Sequence, residues 1–129
     1  MADPIITGVD FVSMPTRDLA ASMRFYGETL GLPRSMHHEG HFAEYETGAV
    51  TLSVIDTDAF KFEFHPNENH LALHVADVGA ARETLVHRGV EFHGETLDTG
   101  VCHMAFFADP AGNRLMLHAR YAPRVAENA

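Results

Sequence analysis

The sequence is poor in cysteine, in basic residues and in long apolar runs. Its single cysteine, Cys102, excludes an internal disulfide and is typical of a protein of the reducing cytoplasm. Nine Lys and Arg residues stand against 18 Asp and Glu, and this net charge of -9 argues against binding to nucleic acid or to an anionic membrane. No apolar run approaches the ~18 residues that cross a bilayer, and the start MADPIITG lacks the features of a signal peptide. We therefore expect a cytoplasmic protein.

The length and composition are typical of a single globular domain. With 129 residues, 46% of them hydrophobic and 21% charged, the chain can bury one core but is too short for two ordinary domains. We therefore expect one domain over residues 1–129. Ten histidines provide material for metal binding or proton transfer, although their number alone identifies no site.

An internal repeat divides the chain into two halves. The stretch NHLALHVADV, residues 69–78, repeats the pattern of GVDFVSMPTRDL, residues 8–19: a short apolar strand, an aspartate and a run with helical spacing. Each half alone would be marginally stable, so we expect the halves to share a sheet or a core. The aligned pairs include Phe11 with His70, Asp18 with Asp77, and Leu19 with Val78.

The first half, residues 5–55, predicts one strand, one helix and three further strands. Alternating apolar residues indicate a first strand at 5–14, which Pro15 should end. Asp18 is a good N-cap for the helix, and a glycine and a proline follow its last apolar residue. Glycines separate the three further strands, which are predicted at 34–38, 42–47 and 49–55.

The second half, residues 69–121, predicts the same order of elements. Asp77 should cap its helix, and the sequence DPAGN at 109–113 predicts a tight turn between the last two strands. The tail, residues 122–129, lacks periodicity and is expected to be loose. The strands are predicted at 70–76, 90–93, 101–108 and 114–121.

Residues 56–68 are predicted to link the two halves. Three phenylalanines at alternate positions, Phe60, Phe62 and Phe64, leave a short strand or a flap over a pocket as the alternative. Two units of this kind predict an α+β fold. In this fold two βαβββ modules form one curved mixed sheet around a cleft, with the helices on the outer face.

Strand alternation predicts which side chains face the cleft, because successive residues of a strand point to opposite faces. The apolar sets, such as Leu71 with Leu73 and Leu115 with Leu117, should pack against the helices. The opposite face then provides a mixed ligand pocket. Its predicted residues are Phe11, Ser13, Thr51, His70, His74, Met104, Phe106, Met116 and His118.

Three histidines on this inner face raise the question of a metal. His70 and His74 have the HxxxH spacing that binds zinc on a helix. On a strand, however, four residues span about 13 Å, too far for two ligands whose bonds to an ion are each about 2 Å. The assigned inner positions contain no carboxylate, unless the strand of Glu44 and Glu46 presents its other face. Histidines hydrogen-bonded to neighbours or to solvent are the favoured interpretation.

Three segments resemble the vicinal oxygen chelate superfamily, which contains glyoxalases, extradiol dioxygenases, fosfomycin-resistance transferases and bleomycin-resistance proteins. They are RDLAASMRFYGETLGL (17–32), NHLALHVADV (69–78) and FFADPAGNRLML (106–117). The resemblance covers nearly the whole chain and implies the α+β fold described above. It also implies a homodimer, since many single-domain relatives build clefts or shared sheets across a two-fold interface.

The resemblance places the metal ligands of the metal-dependent members at Phe11, Thr51, His70 and Met116. Those members have His, Gln or Glu at the first position, often Glu at the second, His at the third and Glu at the fourth, so only His70 matches. Phenylalanine has no donor atom, neutral threonine is a poor ligand, and a thioether is too soft for an oxygen-chelating ion. We therefore predict no cofactor, with a divalent metal at other residues as the alternative.

Two functions follow from the resemblance and these residues. The first is a glyoxalase- or bleomycin-resistance-like protein that binds a partly apolar or aromatic small molecule and has a degenerate metal site. The second is a divalent-metal-dependent lyase or extradiol-type dioxygenase with relocated ligands, drawn from His70, His74, His118 and Glu44. An enzyme without metal would use His70 or His118 as general base. A degenerate fold kept for protein association is a third alternative.

Overall fold

The computed structural model describes residues 3–124, in which a strand-helix-strand-strand-strand order occurs twice. This order confirms the predicted α+β class with two βαβββ modules. The first module comprises β1 (Phe11–Thr16), α1 (Leu19–Arg24) with a π-helical continuation (Phe25–Thr29), β2 (Arg34–His38), β3 (Phe42–Glu46) and β4 (Thr51–Asp56). The second comprises β5 (Leu71–His74), α2 (Val78–His87), β6 (His93–Asp98), β7 (Cys102–Ala108) and β8 (Arg114–Arg120).

The chain divides into two compact units, one ending at Pro66 and the other beginning at Asn67. In each unit the first strand pairs in parallel with the last, and the remaining pairs are antiparallel. The strand orders are β1-β4-β3-β2 and β5-β8-β7-β6. The described strands thus form two four-stranded mixed sheets, one in each module, where the sequence predicted one curved sheet. The difference arises because the ladder hydrogen bonds of the described strands connect only strands of the same module.

The first unit buries the face of its sheet that α1 covers. Tyr45, Leu52 and Val54 of β3 and β4 are almost fully buried. The Tyr45 hydroxyl donates to the Met23 carbonyl of α1 over 3.2 Å, and its ring lies 6.0 Å from that of the buried Tyr26. Because these alternate residues are buried, the residues between them lie on the opposite face of the sheet.

The second unit is built in the same way. Leu115 and Leu117 of β8 are buried, and α2 contacts both β7 and β8. Phe107 of β7 is also buried and packs against Phe92, with the ring centroids 5.1 Å apart. The intervening residues of β7 and β8 therefore lie on the other face.

Both helices begin at the predicted caps. The Asp18 carboxylate accepts from the Ala21 amide over 3.1 Å, and the Asp77 carboxylate accepts from the Ala80 amide over 2.9 Å. Such caps satisfy amide donors that the first helical turn leaves without a carbonyl partner. The first helix differs from the prediction in its second half, where the Leu30 amide donates to the Phe25 carbonyl in a π-helical turn.

The first strand starts later and ends later than predicted. It begins at Phe11 rather than residue 5, and Pro15 lies within it instead of ending it. Strand β1 is the end strand of its sheet order, and a proline is tolerated there because an end strand needs fewer ladder hydrogen bonds.

The strand predicted at 90–93 lies instead at His93–Asp98. Residues 90–92 close the end of α2: the Val90 amide donates to the Leu85 carbonyl over 2.9 Å. Phe92 lies under the Arg82 guanidinium, whose carbon is 4.9 Å from the ring centroid. These contacts hold the segment against the helix, so the strand can begin only after it.

Residues 57–66, all described, contain turns but no strand. Whether 56–68 acts as a linker between modules stays a prediction, as do the module boundaries given above. Within residues 3–124, every helix is too short or too polar to cross a bilayer. Residues 125–129, in the tail predicted to be loose, lie outside the described part, as do residues 1 and 2.

Candidate functional site

The first sheet carries three of the predicted pocket residues on the face opposite its buried side. Directly paired residues of neighbouring strands share a face and form a row across the sheet. The β1–β4 register pairs Phe11 with Thr51 and Ser13 with Ser53. Phe11 is 54% exposed, and Thr51 is partly buried. An aromatic ring and three hydroxyls therefore lie in two adjacent rows of one face, which is exposed at Phe11 and Ser13 and buried at Ser53.

Two glutamates extend the same two rows. The β3–β4 register pairs Glu46 with Thr51 and Glu44 with Ser53, so the rows read Phe11–Thr51–Glu46 and Ser13–Ser53–Glu44. Of the two orientations that the sequence left open for this strand, the one that puts the glutamates beside Thr51 and Ser53 is therefore observed. The signal was present in the sequence, because Ala43 and Tyr45 are the apolar alternate residues of this strand and both are buried.

Glu46 is held in place by two hydroxyl groups. Thr51 Oγ1 donates to Glu46 Oε1 over 2.6 Å, and Ser35 Oγ donates to Glu46 Oε2 over 2.5 Å. The bond from Ser35, followed by that from Thr51, holds the pKa of Glu46 below its ordinary value of 4.5. Glu46 is therefore an oriented anion beside Thr51 at neutral pH.

The second sheet carries five of the other six predicted pocket residues, and the sixth, His70, lies just before its first strand. The β7–β8 register pairs Phe106 with Met116 and Met104 with His118, and the β5–β8 register adds Ala72 to the first row and His74 to the second. The side chains of Met104, Phe106, Met116 and His118 are partly buried, and that of His74 is exposed. Alternation thus brings these residues to one face. Their use as a ligand pocket stays a prediction.

Strand β6 adds two residues to this face that the sequence did not indicate. His93 pairs with Phe106 and Leu97 pairs with Met104. They were missed because the strand was predicted at 90–93. The predicted strand thus ends at residue 93, where the observed strand begins. Leu97 is 48% exposed and extends the apolar part of the face.

His70 lies just before β5 and contacts the apolar part of the face. Its ring is 5.0 Å from that of Phe106 in an edge-to-face arrangement. Burial, followed by the positive charges of Arg114 and His93, lowers the pKa of His70 below its ordinary value of 6.5. The imidazole is therefore neutral at neutral pH and able to accept a hydrogen bond. The residue paired with Met116 is Ala72, not His70.

The two histidines that lie side by side are His74 and His118, which are register partners across β5 and β8. His70 is two rows away, at about 13 Å along the strand. Within residues 3–124 there is no group of three or more His, Cys, Asp or Glu side chains close enough to hold a metal ion. The pairing of His118 with His74 also leaves His70 and His118, the two catalytic candidates, in different rows.

Comparison with known proteins gives the family of this chain. The family model described as the glyoxalase/bleomycin resistance protein/dioxygenase superfamily matches residues 8–117. No curated protein matches the sequence.

Similar solved structures have the same fold. A glyoxalase/bleomycin resistance protein/dioxygenase from Nocardioides is 21% identical, with a TM-score of 0.79 over 98% of this chain and 93% of that chain. A lactoylglutathione lyase from Agrobacterium tumefaciens is 15% identical, with a TM-score of 0.76 over 88% and 93%. TnmS3, an antibiotic binding protein from Streptomyces sp. CB03234, is 25% identical, with a TM-score of 0.75 over 92% and 99%. With the family model spanning most of its length, the chain belongs to the glyoxalase/bleomycin resistance protein/dioxygenase superfamily.

Proposed function

We propose that this protein binds a small, partly apolar or aromatic molecule on the accessible face of its second sheet, with no metal ion at the positions that the resemblance assigns. The observation that carries the proposal is the composition of two adjacent rows, in which Met104, Phe106 and Met116 lie beside His118 and His74. Thioether chains adapt to the shape of a ligand, and an aromatic ring stacks on flat groups. A few polar groups beside an apolar wall are typical of small-molecule sites.

The similarity to TnmS3 supports binding rather than catalysis. That protein is described as antibiotic binding, and it shares 25% of its residues with this chain over 99% of its own length. A ligand of comparable chemistry, with a flat apolar part and a few polar groups, suits the rows of Phe106 and Met104.

The residues at the four ligand positions do not suit a hard divalent ion. Phe11 has no donor atom, Met116 offers only a thioether, and the neutral hydroxyl of Thr51 is a poor ligand. His70 alone provides one nitrogen, which would leave the ion bound mostly by water. A hard divalent ion therefore does not fit these four positions.

The alternative function is a divalent-metal-dependent lyase or extradiol-type dioxygenase with relocated ligands. One observation favours it: His74 and His118 are direct partners on adjacent strands, a spacing at which two imidazoles can approach one ion. Within residues 3–124, no third His, Cys, Asp or Glu side chain lies close enough to this pair to complete a metal site. A third ligand would have to come from elsewhere.

A cytoplasmic homodimer completes the proposal. Ile5, Ile6 and Val9 are 97%, 82% and 64% exposed, and self-association would remove such a run of apolar side chains from water. The single cysteine supports a reducing compartment.

Metal analysis separates the two functions. The untagged protein is purified without chelator, its metal content is measured, and thermal unfolding is followed with added Ni, Zn, Mn and Fe(II). The binding function predicts metal well below one ion per chain and an unchanged Tm. Stoichiometric metal that is lost in His74→Ala or His70→Ala, but retained in the exposed control His87→Ala, would overturn it.

A further inference from the structure

A cluster of five rings lies at one end of the first sheet and forms what we call the aromatic platform: His38, His41, Phe42, Phe60 and Phe62. Two pairs are stacked with their planes 19° apart, His38 on His41 with centroids at 4.2 Å and Phe60 on Phe62 at 5.7 Å. An edge-to-face contact of 5.9 Å between His41 and Phe60 joins the two pairs. The platform therefore presents flat ring surfaces in a fixed arrangement.

The strand register places the platform on the same face as Glu44 and Glu46. His38 pairs with Phe42 across β2 and β3, and Phe42 is two residues from Glu44 on the same strand, about 7 Å away. Met36 pairs with Glu44 in the next row. Flat rings, a thioether chain and a carboxylate are thus neighbours on one face.

The turn at 57–62 brings the two phenylalanines to the platform. The Asp56 carboxylate accepts from the amides of Asp58 and Ala59 over 2.9 and 3.2 Å, and the Phe62 amide donates to the Thr57 carbonyl over 2.9 Å. These bonds fix the loop backbone. The platform rings therefore need little reordering to receive a ligand, which lowers the entropy cost of binding.

The platform is accessible, and its surroundings are mostly acidic. Phe62 is 57% exposed, Phe60 38% and Met36 54%. Glu44 forms no ion pair with any residue in the described range, although it is partly buried. In the turn at 57–62, Lys61 lies near Asp56 and Asp58. Asp58 is paired with Arg17 over 3.9 Å, so the charge argument depends mainly on Glu44. A positively charged guest is therefore favoured over a negatively charged one.

The ring geometry argues against a metal on the platform. Stacked imidazoles place their nitrogens in parallel planes rather than directing them at one point. In addition, His41 Nδ1 lies 3.0 Å from the Glu39 carbonyl, so this nitrogen is engaged as a donor to the backbone.

We infer that the first sheet binds a flat aromatic cation, with its ring on Phe60 and Phe62 and its positive charge directed at Glu44. Ring faces attract both aromatic groups and cations, and the carboxylate distinguishes a cation from a neutral molecule of the same shape. The inference rests on the proposed function in one respect, namely that the protein binds a small molecule. It adds the chemical class of a ligand and a second binding surface.

Three probes of one shape and different charge test this. They are 1-naphthylmethylamine, 1-naphthylmethanol and 1-naphthoate, which are positive, neutral and negative at neutral pH. The full-length protein is labelled at its methionine methyl groups, and each probe is titrated by NMR. Met36 reports on the first sheet, Met104 and Met116 report on the second, and the fully buried Met14 reports on the core.

The amine should shift the Met36 methyl signal and bind about fivefold more tightly than the alcohol, and naphthoate should bind most weakly. Glu44→Gln should lower the affinity for the amine to that for the alcohol. Phe62→Ala should weaken the binding of both probes. Glu28→Gln, an exposed change in the π-helical segment of the same module, should alter neither. An unshifted Met14 signal establishes that each variant is folded.

Equal affinity for the three probes, an unchanged amine affinity in Glu44→Gln, or a stationary Met36 signal overturns the inference. The two proposals fail separately. If the alcohol shifts Met104 and Met116 while no probe shifts Met36, the proposed function stands and this inference is wrong. If the amine shifts Met36 while Met104 and Met116 stay in place with every probe, the inference stands and the second sheet is not the site.

Discussion

At the scale of single residues, the surroundings of His70 change its acidity. Its pKa is lowered chiefly by burial against its neighbours, and Phe106 is the ring that it contacts. The folded protein then binds fewer protons at this site than the unfolded chain does. Stability is therefore lost as the pH falls from about 6.5 through the folded pKa.

We predict that the His70 ring protons titrate below pH 6.5 in an NMR titration. Phe106→Ala should raise the pKa of His70 towards that ordinary value, because water replaces the ring. Titration of His70 at or above 6.5 in the unchanged protein would contradict the account of its burial.

Asn113 is a buried polar side chain whose loss should lower stability. It is fully buried; its amide nitrogen donates to Asp109 Oδ2 over 2.8 Å, and its amide oxygen accepts from the Asn67 backbone over 2.8 Å. These bonds connect the β7–β8 turn to the segment that leads into β5. Removing the amide leaves buried polar groups without these bonds.

Asn113→Ala should lower the free energy of unfolding by about 2–3 kcal/mol, measured by urea denaturation. The control Asn69→Ala, at an exposed position just before His70, should change it by less than about 0.5 kcal/mol. Similar small losses in both variants would show that the turn does not depend on the side chain of Asn113.

At the scale of elements, the sequence predicted those features that local chemistry determines. Asp18 and Asp77 cap helices because a carboxylate satisfies free amides wherever the helix starts. The DPAGN sequence makes a turn because Asp109 accepts from the amides of Ala111 and Asn113 within the turn itself. Strand faces in β8 followed from alternation alone, since Leu115 and Leu117 are buried.

Features that depend on distant partners were not predictable in the same way. Strand β6 is exposed along its whole length, so no apolar alternation marks it, and only its pairing with β7 makes it a strand. Pro15 stays in β1 because β1 ends the sheet order, a fact of topology rather than of local sequence. For the candidate site, the faces of Glu44 and Glu46, which the sequence left open, and the place of the missed residue Leu97 all depend on register with a neighbouring strand.

Asp98 holds the edge strand β6 to the rest of the second sheet. Its carboxylate accepts from the Gly100 amide and the Tyr121 hydroxyl, both over 2.8 Å, and lies 3.4 Å from His103 Nε2. The Gly100 bond, then the Tyr121 bond, lower the pKa of Asp98 below 3.8. A lowered carboxyl pKa contributes stability above the unfolded value, and this contribution is lost as the pH falls from about 3.8 through the folded pKa.

Thermal unfolding between pH 2 and 6 should therefore show Asp98→Asn with a lower Tm than the unchanged protein at pH 6, and the two should converge at the acid end. Asp10→Asn, at an exposed position outside the strands, is the matched control and should follow the unchanged protein throughout. A constant difference at every pH would mean that the charge of Asp98 has no part in holding β6.

At the scale of the whole molecule, the two modules have the same topology but carry different side chains on the sheet face opposite the buried side. The first module places carboxylates and hydroxyls beside Phe11, in the rows of Thr51 and Ser53. The second places thioethers and imidazoles in the rows of Met116 and His118. The repeat therefore preserves the backbone plan while the side chains of the two faces have diverged. At the four positions that the resemblance assigns to metal ligands, only His70 offers a nitrogen donor, and Phe11 and Met116 offer no oxygen or nitrogen.

The most direct test of metal-independent binding uses the six methionines as reporters. The methyl-labelled protein is titrated with neutral 1-naphthylmethanol in buffer with EDTA, and the titration is repeated with Met116→Glu. The account predicts that the Met104 and Met116 signals shift together, that the buried Met14 signal stays in place, and that the substitution abolishes the shift of Met104. Stationary Met104 and Met116 signals in EDTA that move only after Zn, Mn, Ni or Fe(II) is added in excess would contradict it.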